Sequence, residues 1–141
     1  MKTSTDLERV GDEADRIAKV AKESGSLEIP ADSYAEIQHI SSLVAKMLSR
    51  ALDAFARLDP SNALDVINAD AEVDREYDTI IRKAGSQIAE QPNLVDRWLN
   101  VIWAARALER IGDHSKNISE HVVYLVDGED VRHSRSRSHG T

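Results

Sequence analysis

Apolar residues recur every three to four positions along most of the chain, as in the stretches IQHISSLVAKML and VIWAARALERI. This spacing places apolar side chains on one face of an α-helix, whereas a half-buried strand would show strict alternation. The three prolines, Pro30, Pro60 and Pro92, all fall in polar breaks between these stretches. Because proline interrupts a helix, the pattern predicts four helices, at residues 4–24, 33–58, 61–90 and 94–127.

The breaks also offer residues that can cap the first turn of the next helix. Side chains suited to this role are Asp32 or Ser33, Ser61 and Asn93. Gly128 is expected to end the last helix, since glycine commonly follows the final helical turn. The segment RHSRSRSHGT that closes the chain has few apolar residues, so residues 132–141 are predicted to be a disordered tail.

These elements predict an all-α fold, an antiparallel helical bundle with short connections. The 141 residues suffice for one domain. The absence of cysteine excludes disulfides, thiolate zinc sites and cysteine nucleophiles. A net charge of −7 argues against nucleic-acid binding, which relies on clustered Lys and Arg. The sequence has neither an apolar run of membrane-spanning length nor a signal peptide, so a cytoplasmic protein is predicted.

A short motif occurs twice, as LERVGDEADRI at residues 7–17 and as LERIGDHSKNI at residues 108–118. Six of the eleven positions are identical, which indicates an internal repeat. If the motif lies on the last helix of each repeat, the second repeat is complete and the first is represented by its last helix alone. The interpretation is therefore that residues 4–24 are the last helix of a truncated first repeat and residues 33–127 are a complete three-helix repeat.

Two pairs of acidic residues stand out against the apolar pattern. Asp70 and Asp74 are one helical turn apart on a largely apolar stripe, and Glu109 and Asp113 repeat the spacing on the fourth helix. In a hairpin that turns at residues 91–92, Asp70 faces Asp113 and Asp74 faces Glu109. Four converging carboxylates repel one another unless they are neutralised, and hard cations with oxygen ligands are the usual solution. Gly112, beside the acids, is expected to allow close helix approach or backbone access for a ligand.

An ion-pair ladder is the alternative to a metal site. In the same register Arg106 faces Asp78 and Arg110 faces Asp74, which would satisfy part of the charge without metal. His114 and His121 lie near the acidic stripe and are interpreted as ordinary surface histidines.

Enzyme chemistry finds little support in the sequence. EIQH, at residues 36–39, has the Glu-x-x-His spacing of di-iron bundles, but the motif occurs once where such bundles need it twice, so a surface pair is favoured. No Ser-His-Asp arrangement and no glycine-rich phosphate loop is apparent. The chain is therefore predicted not to be an enzyme.

Three segments resemble helices of the PhoU family of bacterial phosphate-signalling regulators. DLERVGDEADRIAK and WAARALERIGDHSKNISEHVVYLVDGEDVRH are similar to the third and sixth helices of that family, and DAEVDREYDTI is similar to the fifth. The resemblance covers residues 6–133 and implies three-helix repeats with Glu/Asp-x-x-x-Asp motifs. It implies binding of iron, zinc, manganese or magnesium at Asp70, Asp74, Glu109 and Asp113, and also at Glu8 and Asp12. On this interpretation the helices that precede residue 6 in the family are missing, so Glu8 and Asp12 are expected to lack their partner acids.

The resemblance also implies a function without catalysis: negative regulation of phosphate uptake and of phosphate-starvation signalling. The implied partners are the ATPase subunit of a phosphate ABC transporter and a membrane sensor histidine kinase, which would place the protein at the inner face of the membrane without crossing it. Two alternatives remain open from the residues, a metal-free helical interaction module and a carboxylate-bridged di-metal oxidase.

The first predicted helix carries an apolar stripe that the missing helices would cover in a longer relative. Its members are Leu7, Val10, Ala14, Ile17 and Ala21. The stripe can be buried by folding back on the other helices or by packing against a second chain. We expect a homodimer, because the other three helices should close their own core.

Overall fold

Three long α-helices joined by short connections make up most of the structure, a computed structural model. It describes residues 30–139 together with residues 5, 6, 8, 9, 11 and 12, and side chains up to residue 128. Helix α1 spans Ala31–Arg57, α2 spans Pro60–Glu90 and α3 spans Val95–His139, with a 3₁₀ turn at Pro92–Leu94 before α3. They correspond to the second, third and fourth predicted helices. The described residues contain no strand, and the predicted all-α class is confirmed.

The helices begin at other residues than the sequence pattern predicts. Asp59 caps α2, since its carboxylate accepts hydrogen bonds from the backbone amides of Ser61 at 3.0 Å and Asn62 at 3.3 Å. Pro60 then occupies the first helical position, where its missing N–H costs nothing. The prediction that Ser61 caps this helix is therefore wrong.

The other two predicted caps are also wrong. Helix α1 starts directly after Pro30 without a side-chain cap, so Asp32 and Ser33 lie inside its first turn. Asn93 lies within the 3₁₀ turn that leads into α3. Proline fixes φ near the helical value, which explains why a break containing proline starts a helix at or next to the proline itself.

Helix α3 continues well beyond the predicted end at Asp127. Gly128 does not adopt the left-handed conformation of a helix-ending glycine, and the helical backbone runs on to His139. The predicted stop at Gly128 is therefore wrong, while the predicted disorder of residues 132–141 stays a prediction. A glycine inside a helix costs only about 1 kcal/mol, and it ends a helix only where the chain takes up the left-handed turn.

Apolar side chains from all three helices form one continuous core. Its buried members include Ile40 and Val44 of α1, Val73 and Ile80 of α2, and Trp98, Val101 and Ile118 of α3. A smaller cluster of Ala54, Ala63 and Val122 closes the end of the bundle near the α1–α2 connection. Helices α2 and α3 are neighbours joined by a short connection, and the middle of α2 faces the first half of α3.

Residues 5, 6, 8, 9, 11 and 12, the described residues of the N-terminal segment, are helical. Asp6 is buried, and its Oδ1 lies 3.1 Å from Nδ1 of His114. The apolar stripe on which the homodimer prediction rests lies outside the described residues, so the homodimer stays a prediction. Among the helices described, none is long and apolar enough to cross a membrane.

Candidate functional site

The four acidic residues predicted to converge share one region on the α2–α3 seam. Helix α2 presents Asp70 and Asp74 one turn apart, and α3 presents Glu109 and Asp113 in the same way. The pKa of Glu109 is raised by burial and then by the charges of Asp113, Asp74 and Asp70. Since each of the other three acids acts on Glu109, the structure brings these four residues together, and we call them the carboxylate patch.

The patch is buried at one edge and open at the other. Asp70 is 7% exposed, Glu109 is partly buried, and Asp74 and Asp113 are exposed to solvent. Burial is also the main reason why the pKa of Asp70 is raised, with the charge of Asp74 second. The arrangement therefore concentrates negative charge at a place that ions in solution can reach.

One lysine pairs with the patch. Nζ of Lys116 lies 3.5 Å from Oδ2 of Asp70, and this charge raises the pKa of Lys116. The pairing is favourable for the lysine, yet it does not restore the pKa of Asp70 to its ordinary value, because burial and Asp74 outweigh it. Lys116 and Arg110 both bring positive charge to the patch, yet the pKa values of Asp70 and Glu109 stay raised.

Of the predicted arginine ladder, no ion pair joins Arg106 to Asp78 among the described residues. Arg110 lies near enough to Glu109 for its charge to lower the pKa of that carboxyl, and its pair with Asp74 stays a prediction. The sequence analysis missed Lys116, although a signal was available. Lys116 follows Asp113 by three residues and Glu109 by seven, which places all three on one face of α3.

The donor chemistry of the patch fits a hard cation, because carboxylate oxygens are the ligands that such ions prefer. The four carboxylates are, however, spaced more widely than the ligands of a metal site. Within the part of the chain that the structure describes, no group of three or more His, Asp or Glu side chains is arranged so that it could hold a metal ion. The residues therefore fit a metal in kind and charge, while Lys116 contacts Asp70, one of the four acids.

The raised pKa of Glu109 leads to a pH-dependent prediction. A carboxyl group whose pKa is raised on folding binds more protons in the folded than in the unfolded state, so it lowers stability as the pH rises above its ordinary pKa of 4.5. Glu109→Gln removes this charge at nearly unchanged size. We expect the variant to unfold at a higher urea concentration than the parent at pH 7–8, and this gain in stability to vanish near pH 4.

Glu72→Gln is the matched control for that experiment, because Glu72 is an exposed glutamate on the neighbouring helix α2. We expect Glu72→Gln to behave like the parent at both pH values. A Glu109→Gln variant that is less stable than the parent at pH 8 would contradict the electrostatic description of the patch.

A known domain matches most of the three described helices. The PhoU domain matches residues 37–122, a range that takes in most of α1, all of α2 and the first part of α3. The chain belongs to the PhoU family. It is 50% identical over 132 residues to the phosphate-specific transport system accessory protein PhoU homolog of Pseudomonas aeruginosa, covering 94% of this chain and 54% of that protein.

Further relatives agree with the PhoU assignment. The phosphate-specific transport system accessory protein PhoU of Escherichia coli is 36% identical over 132 residues, again covering 94% of this chain and 54% of the relative. The crystal structure of PhoU from Pseudomonas aeruginosa superposes with a TM-score of 0.81 at 48% identity, over 90% of this chain and 61% of that one. The chain thus spans about half the length of the curated relatives that it matches.

The PhoU-type acids of the N-terminal segment are placed differently from the carboxylate patch. Glu8 and Asp12 are both exposed on that segment. The nearby Asp6 pairs with His114, whose side chain is only 12% exposed, so the interpretation of His114 as an ordinary surface histidine is wrong. Because 108 residues separate Asp6 from His114, no local pattern in the sequence points to this contact.

Two further predictions concern residues near the patch or the α1–α2 seam. Gly112 is buried, and a Cβ atom there would lie 3.5 Å from Cγ1 of Val73 and 3.6 Å from Cγ2 of Val44, which is ordinary van der Waals contact. Close helix approach therefore does not require glycine at this position.

In the EIQH motif, Glu36 pairs with Lys83 at 2.9 Å and His39 lies 3.7 Å from Glu76, an arrangement of ion pairs between α1 and α2.

Proposed function

We propose that the chain acts as a PhoU-type negative regulator of phosphate uptake and of phosphate-starvation signalling, without catalytic activity. The observation that carries this proposal is the PhoU domain match, together with relatives that are named accessory proteins of the phosphate-specific transport system. The partners proposed are the ATPase subunit of a phosphate ABC transporter and a membrane sensor histidine kinase. The chain would then work in the cytoplasm, peripheral to the inner membrane through these partners.

A metal ion at the carboxylate patch is the second part of the proposal. Asp70, Asp74, Glu109 and Asp113 would hold iron, zinc, manganese or magnesium, with Glu8 and Asp12 as further candidate ligands. Support comes from the concentration of negative charge, since the charges of Asp70, Asp74 and Asp113 all raise the pKa of Glu109. A bound cation would neutralise the patch and join α2 to α3, and so would change the surface that a partner contacts.

A reporter of the phosphate-starvation response tests the regulatory proposal. In a bacterium that lacks its own PhoU, we expect expression of this chain to lower reporter output when phosphate is plentiful. Asp74→Ala with Glu109→Ala should weaken that repression if the patch takes part. Asp65→Ala with Asp78→Ala, two exposed acids elsewhere on α2, is the control. Reporter output that is equal with and without the chain, at matched protein level, would argue against the regulatory role.

A metal-free interaction module is the second candidate function. The ion pair between Lys116 and Asp70 favours it, because it satisfies the most buried acid of the patch without any metal. The two candidates differ in whether protein purified without chelator contains metal. The homodimer belongs to either version of the proposal, and light scattering at micromolar concentration would then give about twice the chain mass of 15.7 kDa.

A further inference from the structure

Most of the exposed large apolar side chains lie at one end of the bundle. The described residues include nine of them, and six lie within four positions of the buried cluster of Ala54, Ala63 and Val122. These six, which we call the apolar end, are Leu52, Phe55, Leu58, Leu64, Tyr124 and Leu125, with exposed fractions from 37% for Phe55 to 74% for Tyr124. A concentration of apolar surface in water is typical of a contact surface.

Helix α3 continues past this end and becomes basic. Helix α1 ends at Arg57 and α2 begins at Pro60, whereas α3 runs from the level of Val122 on to His139, about 25 Å further. The last acidic residue of the chain is Asp130. Residues 131–141 contain three arginines, two histidines and no acidic residue, although the whole chain has a net charge of −7. Positive charge is therefore concentrated beyond the apolar end.

Helical register connects the apolar end with the basic segment. Leu125 and Arg132 are seven residues apart, and Tyr124 and Arg135 are eleven apart. These spacings are close to two and three full turns of an α-helix. Each of the two exposed apolar positions on α3 is therefore followed by an arginine on the same side of the helix.

We propose that the apolar end and the basic segment of α3 bind the surface of an anionic phospholipid bilayer. Anionic headgroups attract clustered arginines, and the headgroup region accepts apolar and aromatic side chains. Stable attachment to a membrane surface takes two such signals, and this end of the bundle carries both. The inference goes beyond the proposed function, in which partners alone hold the chain at the membrane.

The acidic residues near this end leave the attraction in place. Asp53 pairs with Arg57 at 3.2 Å, and Asp59 caps α2. The carboxylate patch is further away, since Asp113 precedes Tyr124 by eleven residues, about 16 Å along the helix. That distance exceeds the Debye length of about 8 Å at physiological salt, so repulsion between the patch and the bilayer is largely screened.

A nucleic acid fits the same surface less well. Its phosphates would attract the arginines, but a phosphate backbone offers no apolar partner for the four leucines and the phenylalanine of the apolar end. A bilayer uses both features. The chemistry therefore favours lipid.

Cosedimentation with sucrose-loaded vesicles tests the inference on the full chain. The vesicles contain phosphatidylcholine alone or with about 30% phosphatidylglycerol, and the bound fraction gives the partition coefficient. We expect binding to the anionic vesicles at about 0.1 M salt, and a fall of about tenfold at about 0.5 M salt as the charges are screened. Neutral vesicles should bind the chain at least about tenfold more weakly.

The basic segment is tested by the triple variant Arg132→Gln, Arg135→Gln and Arg137→Gln. Each basic residue near an anionic surface contributes roughly fivefold to binding, so the partition coefficient should fall about a hundredfold. Because these residues lie past the core of the bundle, the variant should keep its helical circular dichroism.

Arg75→Gln, Arg82→Gln and Arg106→Gln together are the matched control. All three arginines are exposed, and none belongs to the basic segment, so the control makes the same change in net charge elsewhere. We expect its partition coefficient to stay within about threefold of that of the parent.

Leu64→Ser with Tyr124→Ser tests the apolar end, and binding should fall about tenfold. Tyr34→Ser with Trp103→Ser is the control, because these residues are 49% and 62% exposed and lie outside the apolar end. The control should bind like the parent. Helical circular dichroism checks folding, and Tyr124→Ser alone repeats the test if the double variant unfolds.

The other outcomes would overturn the inference. Equal binding by the parent and the basic-segment variant would remove the role of the arginines, and an equal loss in the arginine control would attribute it to net charge. A parent chain that binds a DNA duplex and no vesicles would assign the segment to nucleic acid. A parent dimer that Leu64→Ser with Tyr124→Ser dissociates, without vesicle binding, would assign the apolar end to a second copy. None of these results bears on the regulatory proposal, which the reporter assay tests.

Discussion

Adding Mn²⁺ should raise the melting temperature of the chain, and Asp74→Ala together with Glu109→Ala should abolish the rise. A ligand that binds only the folded state stabilises it by mass action, by about 2.7 kcal/mol at a ligand concentration of one hundred times the Kd. For a chain of this length that corresponds to a shift on the order of 5–10 °C. Differential scanning fluorimetry across a series of Mn²⁺ concentrations measures the effect.

The same double variant makes a second measurement possible in the absence of metal. Asp74 and Glu109 both add to the negative charge of the patch, as the raised pKa of Glu109 shows. Replacing both residues should therefore raise the stability of the metal-free protein. The double variant should then show no further stabilisation when Mn²⁺ is added. The control, Asp65→Ala with Asp78→Ala, should keep the full metal-dependent shift. If millimolar Mn²⁺ left the melting temperature of the parent protein unchanged, the metal site would be contradicted.

The carboxylate patch follows from the sequence because two regular features determine it. The spacing of four residues puts each acidic pair on one helix face, and the proline-containing break at residues 91–92 sets the register in which the pairs meet. Both features are local. The ion pairs of the patch were harder to predict from the sequence, because Arg106, Arg110 and Lys116 all lie on α3 near the acids. Small differences in helix rotation and side-chain length decide which of them reaches Asp70.

Helix ends and long-range contacts could not be predicted in the same way. Asp59 and Ser61 are both good capping residues two positions apart, and the choice between them depends on where Pro60 sits in the first turn. Gly128 has no neighbour within 4 Å of the position of a Cβ atom, so nothing in its surroundings forces the chain to turn there. The contact between Asp6 and His114 joins residues that only the tertiary fold brings together.

Trp98→Ala should cost about 3–5 kcal/mol of unfolding free energy, whereas Trp103→Ala should change it by less than about 0.5 kcal/mol. Both residues lie near the start of α3, five positions apart, which separates their side chains by about 140° around the helix axis. Trp98 is 3% exposed and belongs to the core, while Trp103 is 62% exposed. The apolar stripe in the sequence predicts the same assignment for Trp98, since Val101 and Ala105 lie on its face and are fully buried.

Urea unfolding followed by helical circular dichroism measures both variants against the parent. Trp103→Ala is a strict control, because it makes the same chemical change on the same helix and leaves the core intact. A large loss of stability in Trp103→Ala, comparable to that of Trp98→Ala, would mean that the exposed face of α3 is buried in solution, for example between two chains. The expected homodimer uses the apolar stripe of the first predicted helix and not α3. If Trp103→Ala lost stability in a way that depends on protein concentration, the interface would lie on α3.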